Sequence, residues 1–437
     1  MLRREFLGGT GLALGALGTT GGLSLETKAS SEAKAIAPGD WKSLRELFPL
    51  TRDYVQLSTF LLASHPAPVA AAIERHRKAL DENPADYWHE HFMTIDGEIS
   101  AAAAQYMGGR ADQIALTDST TMGLAMVYSG LKLQPGEEVL QTTHDHYSTD
   151  MSLAHRAERT GASVRKISLY DDPQGISAVT VEQVVDRLRA GISPKTRVVA
   201  VTWVHSSTGV KLPIRAMADA ITAINEGRGE DKQILFCVDG VHGFGVEDED
   251  VSQLGCDFFV AGTHKWIFGP RGTGVIWGSD RGWANSNPVI PGFGGSYGVW
   301  LGEVGADKIP AGDHMTPGGF HSFEHRWALP EAFELHLQLG KKRVQSRIHQ
   351  LNTQTKEGLA AMPHVTLYTP MATDLSSGLV CFDVAGVPQV EVVKRMHDKG
   401  IIMSSTPYRQ SYARFAPSLI NNEQEIDRAL AEIRAMA

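Results

Sequence analysis

The sequence predicts an α/β protein: a large domain on a mostly parallel, seven-stranded-type sheet covered by helices, then a smaller α+β domain at the C-terminus. Three observations predict it. Short apolar runs between residues 114 and 277 alternate with helical stretches, the pattern of βαβ units. Two of these runs, Val198 to Trp203 and Ile234 to Val238, are apolar nearly throughout, as strands covered on both faces must be. Polar and ionisable residues follow run after run, and open parallel sheets bind ligands beyond the carboxyl ends of their strands.

The elements follow in order. Trp41 to Phe48 has the pattern of a short helix, and Tyr54 to Ser58 that of a strand. Pro66 opens a helix over Ala67 to Leu80, where its missing N–H costs nothing. A second helix is expected over Ile95 to Met107. Strands are then expected at Ile114–Thr117, Glu138–Gln141, Ser163–Leu169, Val198–Trp203, Ile234–Val238, Phe258–Val260 and Thr273–Trp277. Between them, helices are expected at Thr121–Leu131, Ser148–Thr160, Val181–Ala190 and Ile214–Asn225. Asn285 to Gly319 is rich in Gly and Pro and reads as irregular chain. One long helix, Leu329 to Leu351, is expected to lead into a second domain with a strand at Ser377–Val384, a helix at Gln389–Lys399, a strand at Ile401–Met403 and a final helix at Glu423–Met436. The implied organisation is 1–35 a leader, 36–60 an N-terminal arm, 61–328 the large domain and 329–437 the small one.

The leader carries Arg3-Arg4-Glu5-Phe6-Leu7, a weakly apolar stretch from Gly8 to Leu23, and Ala33-Lys34-Ala35. It resembles a twin-arginine export signal, which implies passage of the folded protein through that export machinery to the periplasm or beyond. The stretch is too short and glycine-rich for a permanent membrane anchor.

Composition narrows the function. The 437 residues are 42% apolar and 21% charged, ordinary for a globular protein with a sizeable core. A net charge of -9 leaves no basic footprint for nucleic acid. The three cysteines, Cys237, Cys256 and Cys381, lie in apolar, strand-like runs without CxxC spacing. That pattern argues for core packing rather than disulfides or zinc, and no metal site is expected.

Five strand ends carry the chemistry: Ser119-Thr120-Thr121, His144-Asp145-His146, His205-Ser206-Ser207, Asp239 with His242, and Thr263-His264-Lys265. Thr120 and Thr121 open a helix, whose free N–H groups suit a phosphate. Asp239 is placed to meet a protonated ring nitrogen. Lys265 is a lysine at the end of a buried run, where burial makes its amine neutral enough to join an aldehyde as an imine. His146 could stack on a ring or serve as a hydrogen-bonded loop histidine. Phosphate, ring nitrogen and aldehyde together describe pyridoxal 5'-phosphate.

Val238-Asp239-Gly240-Val241-His242 followed by Ala261-Gly262-Thr263-His264-Lys265 resembles the class V aminotransferases, fold-type I pyridoxal phosphate enzymes that include cysteine desulfurases and isopenicillin N epimerase. The resemblance spans residues 50 to 437. It implies that Lys265 holds the cofactor and shuttles the proton, Asp239 keeps the ring nitrogen protonated, His242 bonds the ring hydroxyl and His146 stacks on the ring. It further implies phosphate contacts from Thr120 and Thr121, with Thr263 and His264 as additions, and a substrate carboxylate held by Arg414. A homodimer is implied as well.

The chain departs from the family's pattern in three places. Ser206 stands where relatives often carry Asn, the first strand ends in Leu57-Ser58 rather than Leu-Asn, and Phe323-Glu324-His325-Arg326-Trp327 replaces a segment that desulfurases send to the neighbouring subunit's phosphate. Arg326 is a candidate for that contact; pairing with Glu324 or Glu331 is the alternative. The stretch Ser404 to Tyr412 holds no cysteine, which argues against desulfuration. The expected activity is therefore on an amino acid or related amine, transamination first, with epimerisation and C–S lysis as alternatives and a non-enzymatic cofactor-binding protein last.

Overall fold

The computed structural model describes residues 36–37 and 39–437, so the export-signal reading of residues 1–35 lies outside the described residues. In chain order the strands are β1 (Val55–Gln56), β2 (Ile114–Thr117), β3 (Glu138–Thr142), β4 (Ser163–Ile167), β5 (Thr196–Thr202), β6 (Leu235–Asp239), β7 (Phe258–Gly262), β8 (Gly274–Gly278), β9 (Val365–Leu367), β10 (Val380–Val384), β11 (Ile401–Ile402), β12 (Ser404–Ser405) and β13 (Ala413–Phe415). Seven of them form the large sheet, in the order β2-β8-β7-β6-β5-β3-β4. From β7 to β4 every pairing is parallel. β8 runs antiparallel to both β2 and β7. The expected mostly parallel sheet is therefore the observed one.

Period-two alternation in these strands builds two cores at once. Val199, Val201, Phe236, Val238, Phe259 and Ala261 enter one apolar cluster. Their immediate neighbours Val198, Ala200, Leu235, Cys237, Phe258 and Val260 enter another. Both faces are thus covered, which explains the near-continuous apolar runs in the sequence. A third cluster belongs to the C-terminal part. There β12, β13, β10 and β9 form an antiparallel sheet. Phe382 and Phe415 pack with Leu351, Leu359, Ile426, Leu430 and Ile433 from its helices. β1 joins this region too, pairing parallel with β11, and buries Val55 and Leu57 in the same cluster.

Four expectations need correction. A helix at Pro84–Phe92 stands where none was expected. Its aromatic and histidine residues lack a clean apolar stripe, and none of them is fully buried. The expected single helix Leu329–Leu351 is two, Pro330–Leu339 and Lys341–Ala360. Gly340 divides them with φ 82, a conformation glycine enters at no steric cost. Short helices at Gly295–Leu301 and Ala311–Met315 interrupt the stretch expected to be irregular. Cys256 lies in the turn before β7 rather than in a strand. Among the described residues, no helix is long and apolar enough to cross a membrane.

Candidate active site

A cavity of about 260 Å³ opens at the carboxyl ends of the parallel strands. Ser119, Thr120, Thr121, His146, Asp239, His242, His264, Lys265 and Arg414 all line it. Of the residues expected to contact the cofactor, Thr263 does not line it: it is fully buried, and its hydroxyl bonds Thr273 Oγ1 at 2.5 Å. Thr263 lies just past the end of β7, where its N–H donates to the Thr273 carbonyl at 3.1 Å and its own carbonyl accepts from Gly269 at 2.8 Å, so the turn itself occupies this residue.

Asp239 ends β6 and is 1% exposed. One carboxylate oxygen accepts from the Val241 N–H at 3.2 Å. Burial pushes the acid up to about 6, while the Val241 bond and the nearby Lys265 pull it down. No ion pair joins Asp239 to Lys265 or to any other described cation within 4.0 Å, so this buried carboxylate is left for a cation from outside the chain.

Lys265 follows β7 in a tight turn. Phe268 N–H returns to the Lys265 carbonyl at 3.1 Å, and Gly269 N–H returns to Thr263 at 2.8 Å. Phe268 takes φ 57, uncommon for an aromatic residue. Its ring is locked edge-on against Phe48 at 4.8 Å, so core packing fixes the turn that aims the lysine. Half-buried in the cavity wall, the Lys265 amine is lowered to about 8, chiefly by burial; Asp239 pulls it up and Arg414 pushes it down. An amine in that range is partly neutral, hence nucleophilic, near neutral pH.

Three histidines surround the lysine. His146 caps the helix Tyr147–Thr160, its Nδ1 accepting from the Ser148 N–H at 3.2 Å. His242 Nδ1 accepts from the Trp266 indole at 3.3 Å. Both rings are thereby neutral tautomers with Nε2–H free to donate. Burial, followed by the charges of Lys265 and Arg414, depresses both further. His264 Nδ1 is buried without a partner.

At one end of the cavity the helix Thr120–Gly130 presents its first turn, capped by Ser119. Thr120 Oγ1 accepts from the Gly262 N–H at 2.7 Å and ties this helix to the end of β7. Thr121 Oγ1 meets Ser148 Oγ at 2.8 Å. Arg414, on β13, is 1% exposed. Its Nε donates to Ser404 Oγ at 3.1 Å, its Nη1 to the Ser206 carbonyl at 2.6 Å, and its guanidinium lies 4.5 Å over the Phe60 ring. None of these partners is a carboxylate, so a buried guanidinium is left without a counter-ion.

Residues that sequence reasoning did not assign also line the cavity: Phe60, Leu61, Ser148, Thr202, Val241 and Pro407. Ser148 and Thr202 stand within two or three positions of strand ends already singled out, a usable signal. Phe60 and Leu61 stand where the N-terminal arm meets the large domain, and nothing local marks them. Arg326 pairs with Asp96 at 2.6 Å rather than with Glu324 or Glu331. The three cysteines are buried and absent from the cavity lining, and burial raises each thiol, Cys381 to about 12, away from the thiolate form.

The family profile described as aminotransferase class-V matches residues 63–410. The chain belongs to that family. Isopenicillin N epimerase of Streptomyces clavuligerus is 25% identical to it over 92% of this chain and 99% of its own. A cysteine desulfurase of Pectobacterium atrosepticum is 25% identical over 84% of this chain and 91% of its own. Among solved structures, the cystine C–S lyase C-DES in complex with cysteine persulfide superposes with a TM-score of 0.76 at 22% identity, covering 89% of this chain and 99% of that one. That likeness shows the fold. As a member of the class V family, this protein is a pyridoxal 5'-phosphate enzyme.

The residues present fit that cofactor. Two cavity-lining polar atoms, His264 Nδ1 and Thr202 Oγ1, are buried and unbonded. A helix N-terminus, an unpaired buried carboxylate and a partly neutral lysine converge on the same space. Each is costly without a ligand and is met by one feature of this cofactor: its phosphate, its ring nitrogen and its aldehyde.

Proposed function

We propose that this class V enzyme acts on an α-amino acid, removing and returning the Cα proton with Lys265, and that its first reaction is transamination. The observation that carries the reading is Arg414: a buried guanidinium without a counter-ion, in one cavity with Lys265 and Asp239. A substrate carboxylate supplies the missing charge and fixes the amino acid's orientation.

The first turn of the helix Thr120–Gly130, with Thr120, Thr121 and His264, would hold the phosphate. Asp239 would keep the ring nitrogen protonated, His242 Nε2–H would donate to the ring hydroxyl, and His146 would cover one ring face. When bound, the cofactor makes the Cα–H acidic by spreading charge into its ring. Lys265 then serves as general base and acid, at a pKa suited to both directions near neutral pH. Transamination needs one such group, and Lys265 is the only cavity-lining residue here whose amine stays both basic and accessible.

Epimerisation is the second reading, supported by the 25% identity over nearly the full length of isopenicillin N epimerase. Incubating the cofactor-loaded protein with single amino acids in heavy water separates the two. Release of one keto acid per site without a second substrate supports transamination. Deuterium at Cα with inversion supports epimerisation, and release of pyruvate with sulfide would move the assignment to C–S lysis. No exchange at Cα with any amino acid would sink the proposal.

The same proposal includes a homodimer and export of the folded protein through the twin-arginine route, resting on Arg3-Arg4-Glu5-Phe6-Leu7. Replacing both arginines with lysine should hold the protein in the cytoplasm. Continued periplasmic accumulation would reject that route.

A further inference from the structure

The segment between β12 and β13 closes over the cavity as a loop with a firm neck and a lightly held tip. At the neck, Thr406 N–H donates to the Tyr412 carbonyl at 2.9 Å, and Tyr412 N–H returns to Thr406 Oγ1 at 2.9 Å. The Tyr412 hydroxyl donates to Asp172 Oδ1 at 2.7 Å, anchoring the neck to the large domain. At the tip, Pro407, Arg409 and Gln410 are exposed, while Tyr408 turns inward. Its hydroxyl lies 2.6 Å from Ser206 Oγ, and its ring stands edge-on to His146 with centroids 6.3 Å apart.

Ser206 is therefore shared. Its carbonyl accepts from Arg414 Nη1, its hydroxyl meets Tyr408, and its side chain lines the cavity. A serine hydroxyl has one proton and rotates to suit its neighbours, so alone it gives no fixed donor. Desolvation pushes the half-buried Tyr408 phenol up to about 12, although Ser206 and Arg414 pull it down, so it keeps its proton across the neutral range.

We infer that Tyr408 is a specificity-determining positioning residue: its hydroxyl donates to Ser206 Oγ and turns the Ser206 proton toward the substrate carboxylate beside Arg414. Arg414 supplies the charge and the Tyr408–Ser206 pair supplies the direction. The pair thus selects amino acids with a free α-carboxylate over esters and decarboxylated amines. It also couples the loop tip to occupancy of the cavity. The inference rests on the reading of Arg414 as the carboxylate site.

The test uses the cofactor-loaded protein with two probes, 2-aminoisobutyrate, which has no Cα hydrogen, and its methyl ester. Dissociation constants are read from cofactor absorbance, so no turnover is needed. Tyr408→Phe and Ser206→Ala should each cut the preference for acid over ester about tenfold, the scale of a hydrogen bond to a charged group. The double variant should lose no more than the larger single effect, because both residues serve one relay. Ester binding should stay within about twofold, which a merely structural defect would not allow. An unchanged preference in Tyr408→Phe, equal weakening of acid and ester, or additive losses would each overturn the inference. Arg414→Ala tells the two levels apart. If that variant keeps the preference, the carboxylate site itself is misplaced; if it loses the preference while Tyr408→Phe keeps it, the failure lies with Tyr408 alone.

Discussion

Glu247 and Arg414 are both buried charges that link the large sheet to the C-terminal part, and they are treated in opposite ways. Glu247 is saturated. Lys211 Nζ lies 2.7 Å and Gln345 Nε2 2.8 Å from one oxygen, while His349 Nε2 at 2.9 Å and Ser377 Oγ at 2.5 Å meet the other. Those partners hold the acid at about 2 despite its burial. Arg414 has only a carbonyl, a hydroxyl and a ring face. Folding alone gives Glu247 everything a buried charge needs, whereas Arg414, like Asp239 and Lys265, is completed only by a ligand. Charge left unpaired inside a fold is a destabilising feature, and its concentration in one cavity is the mark of a binding site.

The sharpest break between the two regions is Lys265→Ala. Turnover should fall by about 10⁴-fold or more, the upper range for losing a general acid–base group. The urea midpoint of the cofactor-free variant should hold or rise, because a buried amine forced from 10.5 to about 8 disfavours the folded state at neutral pH. A marked loss of stability would show that Lys265 belongs to the structural class instead.

Glu247→Gln is the converse. It leaves the Lys211 charge buried and unpaired, so stability should fall by about 3–5 kcal/mol in urea unfolding. Activity per folded molecule should stay within about twofold. Next in size, Arg414→Lys keeps the charge but loses the forked geometry, and kcat/KM for amino acids should drop about tenfold or more. Equal activity would mean that Arg414 is structural after all.

The smallest effects are in pH. Glu247 is depressed from 4.5, so its contribution is complete above that value and disappears as pH falls through 4.5 toward 2. Lys265 works in the other direction. Only the neutral amine attacks an aldehyde, so the rate of cofactor loading into the cofactor-free protein should rise with pH and level off above about 8. A loading rate that is flat from pH 6 to 9 would contradict the placement of Lys265.

Much of the fold was legible because its signals are local. The helix Ile214–Asn225 and the run of strands from Ile114 to Gly278 follow from apolar periodicity and strand ends. Lys265, Asp239, His146 and Thr120 were legible because strand ends in a parallel sheet converge. Thr263 lies two positions from Lys265, but closeness along the chain does not say which way a side chain faces, and its hydroxyl is taken by Thr273. The break at Gly340 needed the backbone itself, since a lone glycine in a helical pattern is often tolerated.

By itself, then, the sequence determined the sheet class, the covered faces and the residue types at the strand ends, because these depend on neighbours a few positions apart. The tertiary structure alone decided which charges are paired. Glu247 meets partners 36 and 130 residues away. Arg414 reaches across 208 residues to a carbonyl and finds no acid there. Pairing is a property of three-dimensional distance, and Coulomb and hydrogen-bond energies fall off too steeply for chain order to foretell it.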